Sequence, residues 1–220
     1  MFKEHMSRYT SEREKGVINK AAKTHPLINL MFFLIIGIGM LFFTMMVLFA
    51  ISAPERHLGG QHFPKWFFLS TVIILASSYT IERARRGFDL DNGEQMLNHL
   101  MMTGVLAVAF SITQFLGWKQ LWTADVTLFS VGSDPVKHTS SGAFLYVISG
   151  LHLIHLVAGI IFLFMAMFRV VNMKSDAVKA VLFYSDPQEK AKITALARYW
   201  HFLDFLWVVL FLYFLWFFVG

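Results

Sequence analysis

The stretch Leu27–Ser52, LINLMFFLIIGIGMLFFTMMVLFAIS, contains no charged side chain, and its reading decides the fold. About 20 apolar residues in a helix cover the roughly 30 Å hydrocarbon core of a bilayer, so this run is long enough to span one. Further apolar segments follow at about 64–82, 96–118, 141–168 and 200–219. The second, Trp66 to Ile81, is the shortest and is stopped by Glu82, Arg83, Arg85 and Arg86. The fourth exceeds what a bilayer needs, which points to tilt or protrusion. A chain in lipid must satisfy its backbone polar groups internally, so these runs predict helices. The expected fold is all-α: a polytopic membrane protein of five transmembrane helices. It forms one domain over 27–220, preceded by a basic tail over 1–26.

Composition agrees. Of 220 residues, 56% are apolar and 16% aromatic, with 24 phenylalanines, which is more apolar than soluble domains usually are. Cysteine is absent, excluding disulfides, thiolate metal sites, iron–sulfur clusters and a covalently attached haem. The first 26 residues are polar and basic, so no cleavable signal peptide is expected. The net charge of +5 reads as topology rather than as a sign of an acidic partner or nucleic acid. Basic residues crowd the amino-terminal tail (Lys3 to Lys23), the connection at 83–86 and the connection from Arg169 to Arg198. Only Arg56, Lys65, Lys119 and Lys137 fall on the other side. The positive-inside rule then places the amino terminus in the cytoplasm and the carboxyl terminus in the periplasm.

Polar residues inside apolar helices are costly, and here they are few. The fourth segment contains Tyr146, Gly150, His152 and His155, with Gly142 and Gly159 as further small surfaces for helix contact. The fifth opens Tyr199-Trp200-His201-Phe202-Leu203-Asp204, followed by Trp207, and Gln114 stands alone in the third. His152 and His155 share a helix face, and haem ligation is the sharpest reading of them. However, His201 lies at the cytoplasmic start of its helix, about nine residues or roughly 13 Å from the depth of the other two. The set fits one iron badly, and histidines hydrogen-bonded between helices are the plainer expectation. His201 and Asp204, spaced i, i+3, allow a carboxylate–imidazole pair, either a proton relay or a polar clamp on the last helix. No Asp or Glu lies inside the first four segments, which favours the clamp. Arg83, Arg85 and Arg86 read as positive-inside signal and as candidates for lipid phosphate, for which the planar guanidinium fork is suited. The methionines at 31, 40, 45 and 46 read as packing, and Pro54–His57 as a loop.

The two polar helices carry a resemblance. Tyr146-x-x-x-Gly150-Leu-His152-x-x-His155 and Tyr199-Trp200-His201-Phe202-x-Asp204-x-x-Trp207 resemble the last two helices of cytochrome c oxidase subunit III. Ser77 to Gly87 also looks like the end of a matching helix, and five spans fit the short bacterial form of that family.

The resemblance implies a non-catalytic subunit of a haem–copper terminal oxidase, in a multi-pass bacterial inner membrane. No haem or copper is bound by such a chain; both belong to partner subunits I and II. It implies packing against subunit I, contact with subunit II, and bound phospholipid, with Arg83, Arg85, Arg86, His152 and Arg198 as lipid-contact candidates. It leaves room for a small subunit IV and a supercomplex with the electron-donor complex. An accessory subunit of a quinol oxidase or nitric oxide reductase is the near alternative. A stand-alone haem b protein and a proton-coupled transporter are the distant ones.

Two departures stand out. Gly39 and Gly117 occupy places where the family commonly has embedded glutamates, which moves the expected role from proton handling toward scaffold and lipid holder. The connection at 170–197 is long and charged, as if it met an additional partner.

Overall fold

The computed structural model describes residues 26–52, 63–123, 139–174 and 176–219. The basic amino-terminal tail and the loop at 54–57 lie outside them. Six helices appear among the described residues: α1 Pro26–Ser52, α2 Lys65–Asp89, α3 Gly93–Thr123, α4 Thr139–Met173, α5 Ala177–Ser185 and α6 Pro187–Val219. No strand occurs among the described residues. Four of the helices, α1, α3, α4 and α6, are long and apolar enough to cross a membrane. α2 falls short of that standard because Ser and Thr interrupt its apolar run and its last two turns are charged.

Several boundaries differ from those read off the sequence. α2 and α3 do not stop at 82 and start at 96; they close into a tight helical hairpin. The Asn92 amide donates to the Gly87 carbonyl at 2.9 Å, and the Asn92 side chain accepts from the Gln95 amide at 3.0 Å to cap α3. Asp91 takes the left-handed backbone (φ 53°) that this reversal requires.

The last helix begins at Pro187, thirteen residues before its apolar run (200 minus 187). Asp186 caps it by accepting from the Gln188 amide at 2.8 Å, and proline suits the first helical position. This entry is amphipathic: Ala191, Ile193, Leu196 and Ala197 are buried while Lys190 and Arg198 are exposed. A search for uniformly apolar runs passes over such a segment. The connection at 170–197 is thus mostly helical, formed by the end of α4, the short α5 and the entry of α6.

α6 is the hub, packing on α1, α2, α4 and α5, while α2 is the least apolar of the five long helices. α2 pairs along its length with α3 and packs on α6. Two glycines make the α2–α3 approach close. A Cβ at Gly87 would meet the Met96 backbone nitrogen at 2.9 Å, and one at Gly117 would stand 2.3 Å from the Phe67 ring. Gly117 therefore leaves no room for a carboxylate side chain unless Phe67 moves. Gly87→Ala has backbone rather than a flexible tip in its way, and is expected to cost about 1–3 kcal/mol as overpacking. The check is the midpoint of unfolding in mild detergent; an unchanged midpoint would refute the close approach.

α1 is the outlier. Only 17% of its apolar stretch is buried, against 50% for α6. It leans on α4 and α6 from Ile38 to Phe49, and most of the first third (Leu27, Leu30, Phe32, Phe33, Leu34, Ile36) is exposed apolar surface.

Candidate functional site

The sequence motif at the start of α6 becomes a series of rivets to its neighbours. The Tyr199 hydroxyl donates to the His155 carbonyl on α4 at 3.0 Å. Trp200 Nε1 donates to Ser77 Oγ at 3.1 Å, and Trp207 Nε1 to Thr71 Oγ1 at 3.1 Å, both on α2. His201 Nδ1 bonds Ser78 Oγ at 2.7 Å, and its Nε2 lies 3.6 Å from Glu82 Oε2, an ion pair whenever the imidazole is protonated. The motif on α4 works the same way. The Tyr146 hydroxyl donates to the Trp118 carbonyl at 3.3 Å, and Trp118 Nε1 to Ser149 Oγ at 3.0 Å. A Cβ at Gly150 would lie 3.9 Å from the Trp118 ring, and Gly159 lets Tyr199, Trp200 and Leu203 pack against α4.

The receiving side of this ladder was not read from the sequence. Ser70, Thr71, Ser77, Ser78 and Thr80 form a hydroxyl stripe on α2, where 70 and 77, and 71 and 78, are seven residues apart and so recur on one face. Ser70 accepts from Gln114 Nε2 at 3.1 Å, and Thr80 pairs with Thr103 at 2.8 Å. Gln114 is therefore not isolated. The available signal was that spacing, in a helix whose hydroxyls otherwise only weaken its claim to span a membrane.

Three expectations are corrected. His201 and Asp204 do not pair, because His201 turns to Ser78 and Glu82. Asp204, 3% exposed, sits beside Ser78, yet neither of its oxygens has a well-formed hydrogen bond among the described residues. The α4 histidines do not bond between helices either: His155 Nδ1 bonds the Leu151 carbonyl of its own helix at 2.8 Å. His152 is fully buried with neither ring nitrogen partnered among the described residues. Its ring is walled by Phe110 at 5.9 Å, Trp207 at 5.4 Å and Phe42 at 6.5 Å. This leaves no surface for a lipid headgroup, so His152 stands apart from the other lipid-contact candidates. Its aromatic walls also leave no flat opening for a porphyrin. Among the described residues, no three His, Asp or Glu side chains gather to hold a metal ion.

At the carboxyl end of α2, beyond its apolar run, the arginines are partly engaged. Arg85 donates to Glu82 at 2.7 and 3.0 Å and to Asp89 at 3.1 Å. Those hydrogen bonds from Arg85 hold the Glu82 carboxylate in a two-point ion pair. Arg83 Nε donates to the Tyr79 hydroxyl at 2.8 Å and its guanidinium lies 5.1 Å from that ring centroid. Arg86 and Arg198 keep the most exposed guanidinium groups of the candidate set. Asp89 also meets Lys190 at 3.1 Å, Arg169 meets Glu189 at 3.5 Å, and Lys174 meets Glu94 at 3.4 Å. These exposed pairs fix the register of four helix ends more than they stabilise them.

Comparison with known proteins bears on this arrangement directly. A cytochrome c oxidase subunit III from Cyanidium caldarium is 28% identical over 160 residues, covering 72% of this chain and 52% of its own length. The corresponding proteins of Gallus gallus and Rhipicephalus sanguineus are 25% and 27% identical over 173 residues, covering 74% of this chain and 58% and 59% of theirs. The chain thus spans little more than half the length of these curated relatives. The family profile for cytochrome c oxidase subunit III matches residues 15–219, nearly the whole chain including every helix of the ladder, and the chain belongs to that family.

Proposed function

We propose that this chain is a non-catalytic scaffold subunit of a haem–copper terminal oxidase, seated against subunit I in a bacterial inner membrane. It crosses the bilayer five times, with α2 as the fifth span, the amino terminus in the cytoplasm and the carboxyl terminus in the periplasm. α2 qualifies because its hydroxyls bond inward to Trp200, His201 and Trp207, so its lipid-facing side remains apolar (Val72, Leu75). The observation that carries the reading is the ladder itself: the side chains of the family motif are spent on fastening helices rather than on binding a reactive group. Haem and copper belong to the partner subunits I and II, and phospholipid is held at the arginine-bearing cytoplasmic rim, where Arg198 is exposed and Arg86 is exposed although its Nε lies 3.4 Å from Glu82.

The test is purification of the tagged chain in mild detergent with mass identification of what accompanies it. Subunits I and II are expected, and a copper-bearing electron-entry domain on subunit II marks the cytochrome c type rather than a quinol oxidase. A chain that purifies alone with a stoichiometric Soret band sinks the proposal in favour of a haem b protein.

A second measurement addresses the ladder. His201→Ala removes the Ser78 bond and the Glu82 contact, worth about 1 kcal/mol within a membrane bundle. Recovery of the chain with the oxidase is expected to fall severalfold, and undiminished copurification with normal sustained turnover would refute the fastening role.

A further inference from the structure

The short helix α5 has no counterpart in the reading of the chain as a set of spans. It is pinned to the bundle on one side: Phe183 and Tyr184 stack on Phe88 at centroid distances of 5.5 Å each, and the Tyr184 hydroxyl packs against Gly93. Asp176 caps its start by accepting from the Val178 amide at 2.9 Å. That fixes the opposite side, where Val178, Val181 and Leu182 fall at i, i+3 and i+4 on one stripe. They are 66%, 66% and 65% exposed. Single exposed aliphatics need no explanation, but three in a row on a rigidly held helix do.

What the stripe adjoins indicates what covers it. Arg169, Asn172 and Met173 at the end of α4 share a shallow groove with Lys179, Leu182, Phe183, Asp186 and Glu189. Arg169 also borders a second apolar concavity on α4, formed with Ile161, Phe164, Phe168 and Val171. The apolar outer surface of α4 therefore runs down to Arg169, and the α5 stripe lies just beyond it across that charged rim. On the far side of the bundle, α2 is already charged at this level, since Arg169 stands across from Glu189, and the adjacent Lys190 from Asp89. The apolar surface of α4 thus runs to the level of Asp89, about two turns beyond Glu82, the first charge after the apolar run of α2, or near 10 Å at 1.5 Å per residue. A bundle tilted toward α4 would sink that side into the lipid, and tilts of about 20° are ordinary for membrane helices. Lys179 extends beside the stripe from a long aliphatic stem that can lie along acyl chains while its ammonium reaches phosphate.

We propose that α5 is an interfacial helix of the cytoplasmic leaflet, with Val178, Val181 and Leu182 at the acyl-chain boundary and Lys179 at the level of anionic phosphate. The proposal rests on the membrane reading above and adds a contact that no spanning segment supplies. It makes α5 a depth stop that sets the tilt of the bundle, and with it the face that the chain offers its partners.

The chain contains no cysteine, so single Cys variants can carry a nitroxide label at chosen sites. Val181→Cys, Lys179→Cys and the α4 reference Ile161→Cys are each labelled in the purified complex, with the cysteine-free parent as background. The complexes are placed in vesicles of phosphatidylcholine with phosphatidylglycerol. Collision of each label with membrane-dissolved oxygen is then compared with collision by a water-soluble nickel chelate. The label at 181 is expected to favour oxygen severalfold, as at 161, and the label at 179 to favour nickel.

A label at 181 that favours nickel overturns the proposal, because the stripe then faces water. A label at 181 that meets neither reagent also overturns it, because a protein partner then covers the stripe. If the reference at 161 fails to favour oxygen, the membrane reading fails instead, and the two failures are told apart.

Discussion

Trp207→Ala is expected to release the whole four-helix core, with a large loss of stability. Trp207 is fully buried and touches every helix of that core. Its indole meets Phe67 of α2 at 5.8 Å, Phe110 of α3 at 5.2 Å and His152 of α4 at 5.4 Å, while Nε1 donates to Thr71. In water, truncating a buried Trp costs about 3–5 kcal/mol, part of it from transfer of the ring back to water. A membrane helix that separates from its neighbours exposes the ring to lipid, so mainly the packing and cavity part remains. The expected loss is therefore about 2–4 kcal/mol, with the Thr71 hydroxyl oxygen left without the indole donor. The measurement is the denaturation midpoint of the purified chain, read on all core helices by hydrogen exchange. Loss confined to α6 would show that the indole is not a shared centre. Trp207→Phe separates the two contributions: it keeps most of the volume and drops the hydrogen bond, and should recover more than half of the loss.

The sequence was most legible where the chemistry is uniform. Leu27–Ser52 has no charge to interrupt it, and α1 follows it to the residue at its carboxyl end. The α4 and α6 motifs were also visible, because His, Asp and Trp are conspicuous against apolar neighbours. Their partners were not, and for a physical reason. A hydroxyl on a membrane helix bonds equally well to its own backbone one turn back, as Ser70, Thr71, Ser77 and Thr80 all do here. Composition thus gives no hint that a Trp or Gln from another helix also uses it. The i, i+3 spacing of His201 and Asp204 invited a local pair, yet Ser78 offered His201 a partner across the helix contact. Such a competition is settled by packing, which spacing along one helix does not encode. α5 went unread because nine residues are too few for a span and too apolar to stand out from one.

Phe49→Ala should have an effect of similar size but a different reach, loosening α1 while the other helices hold. Phe49 is fully buried near the carboxyl end of α1, ringed by Phe217 at 4.8 Å, Tyr213 at 5.7 Å, Phe144 at 6.1 Å and Phe214 at 6.2 Å. One turn earlier the Tyr213 hydroxyl donates to the Met46 carbonyl at 2.6 Å. Because so little of α1 is buried, this nest and the Phe42 contact with His155 at 5.7 Å supply most of its hold on the bundle. Edge-on aromatic pairs contribute about 0.5–1.5 kcal/mol each beyond area, and four of them are lost together. The expected cost is about 2–4 kcal/mol, since the rings left behind repack in part. None of that cost falls on the Trp207 centre, which contacts α1 only indirectly through His152 and Phe42. Hydrogen exchange in the assembled complex should therefore rise across α1 and stay near wild type in α2, α3 and the Trp200–Trp207 segment. Uniform loss of protection would mean that α1 is integral to the core and that the exposed first third of the helix is closed off by the bundle itself. Selective loss makes α1 an arm hinged at its carboxyl end, whose exposed apolar first third (Leu27 to Ile36) is left for lipid or a neighbouring subunit to hold.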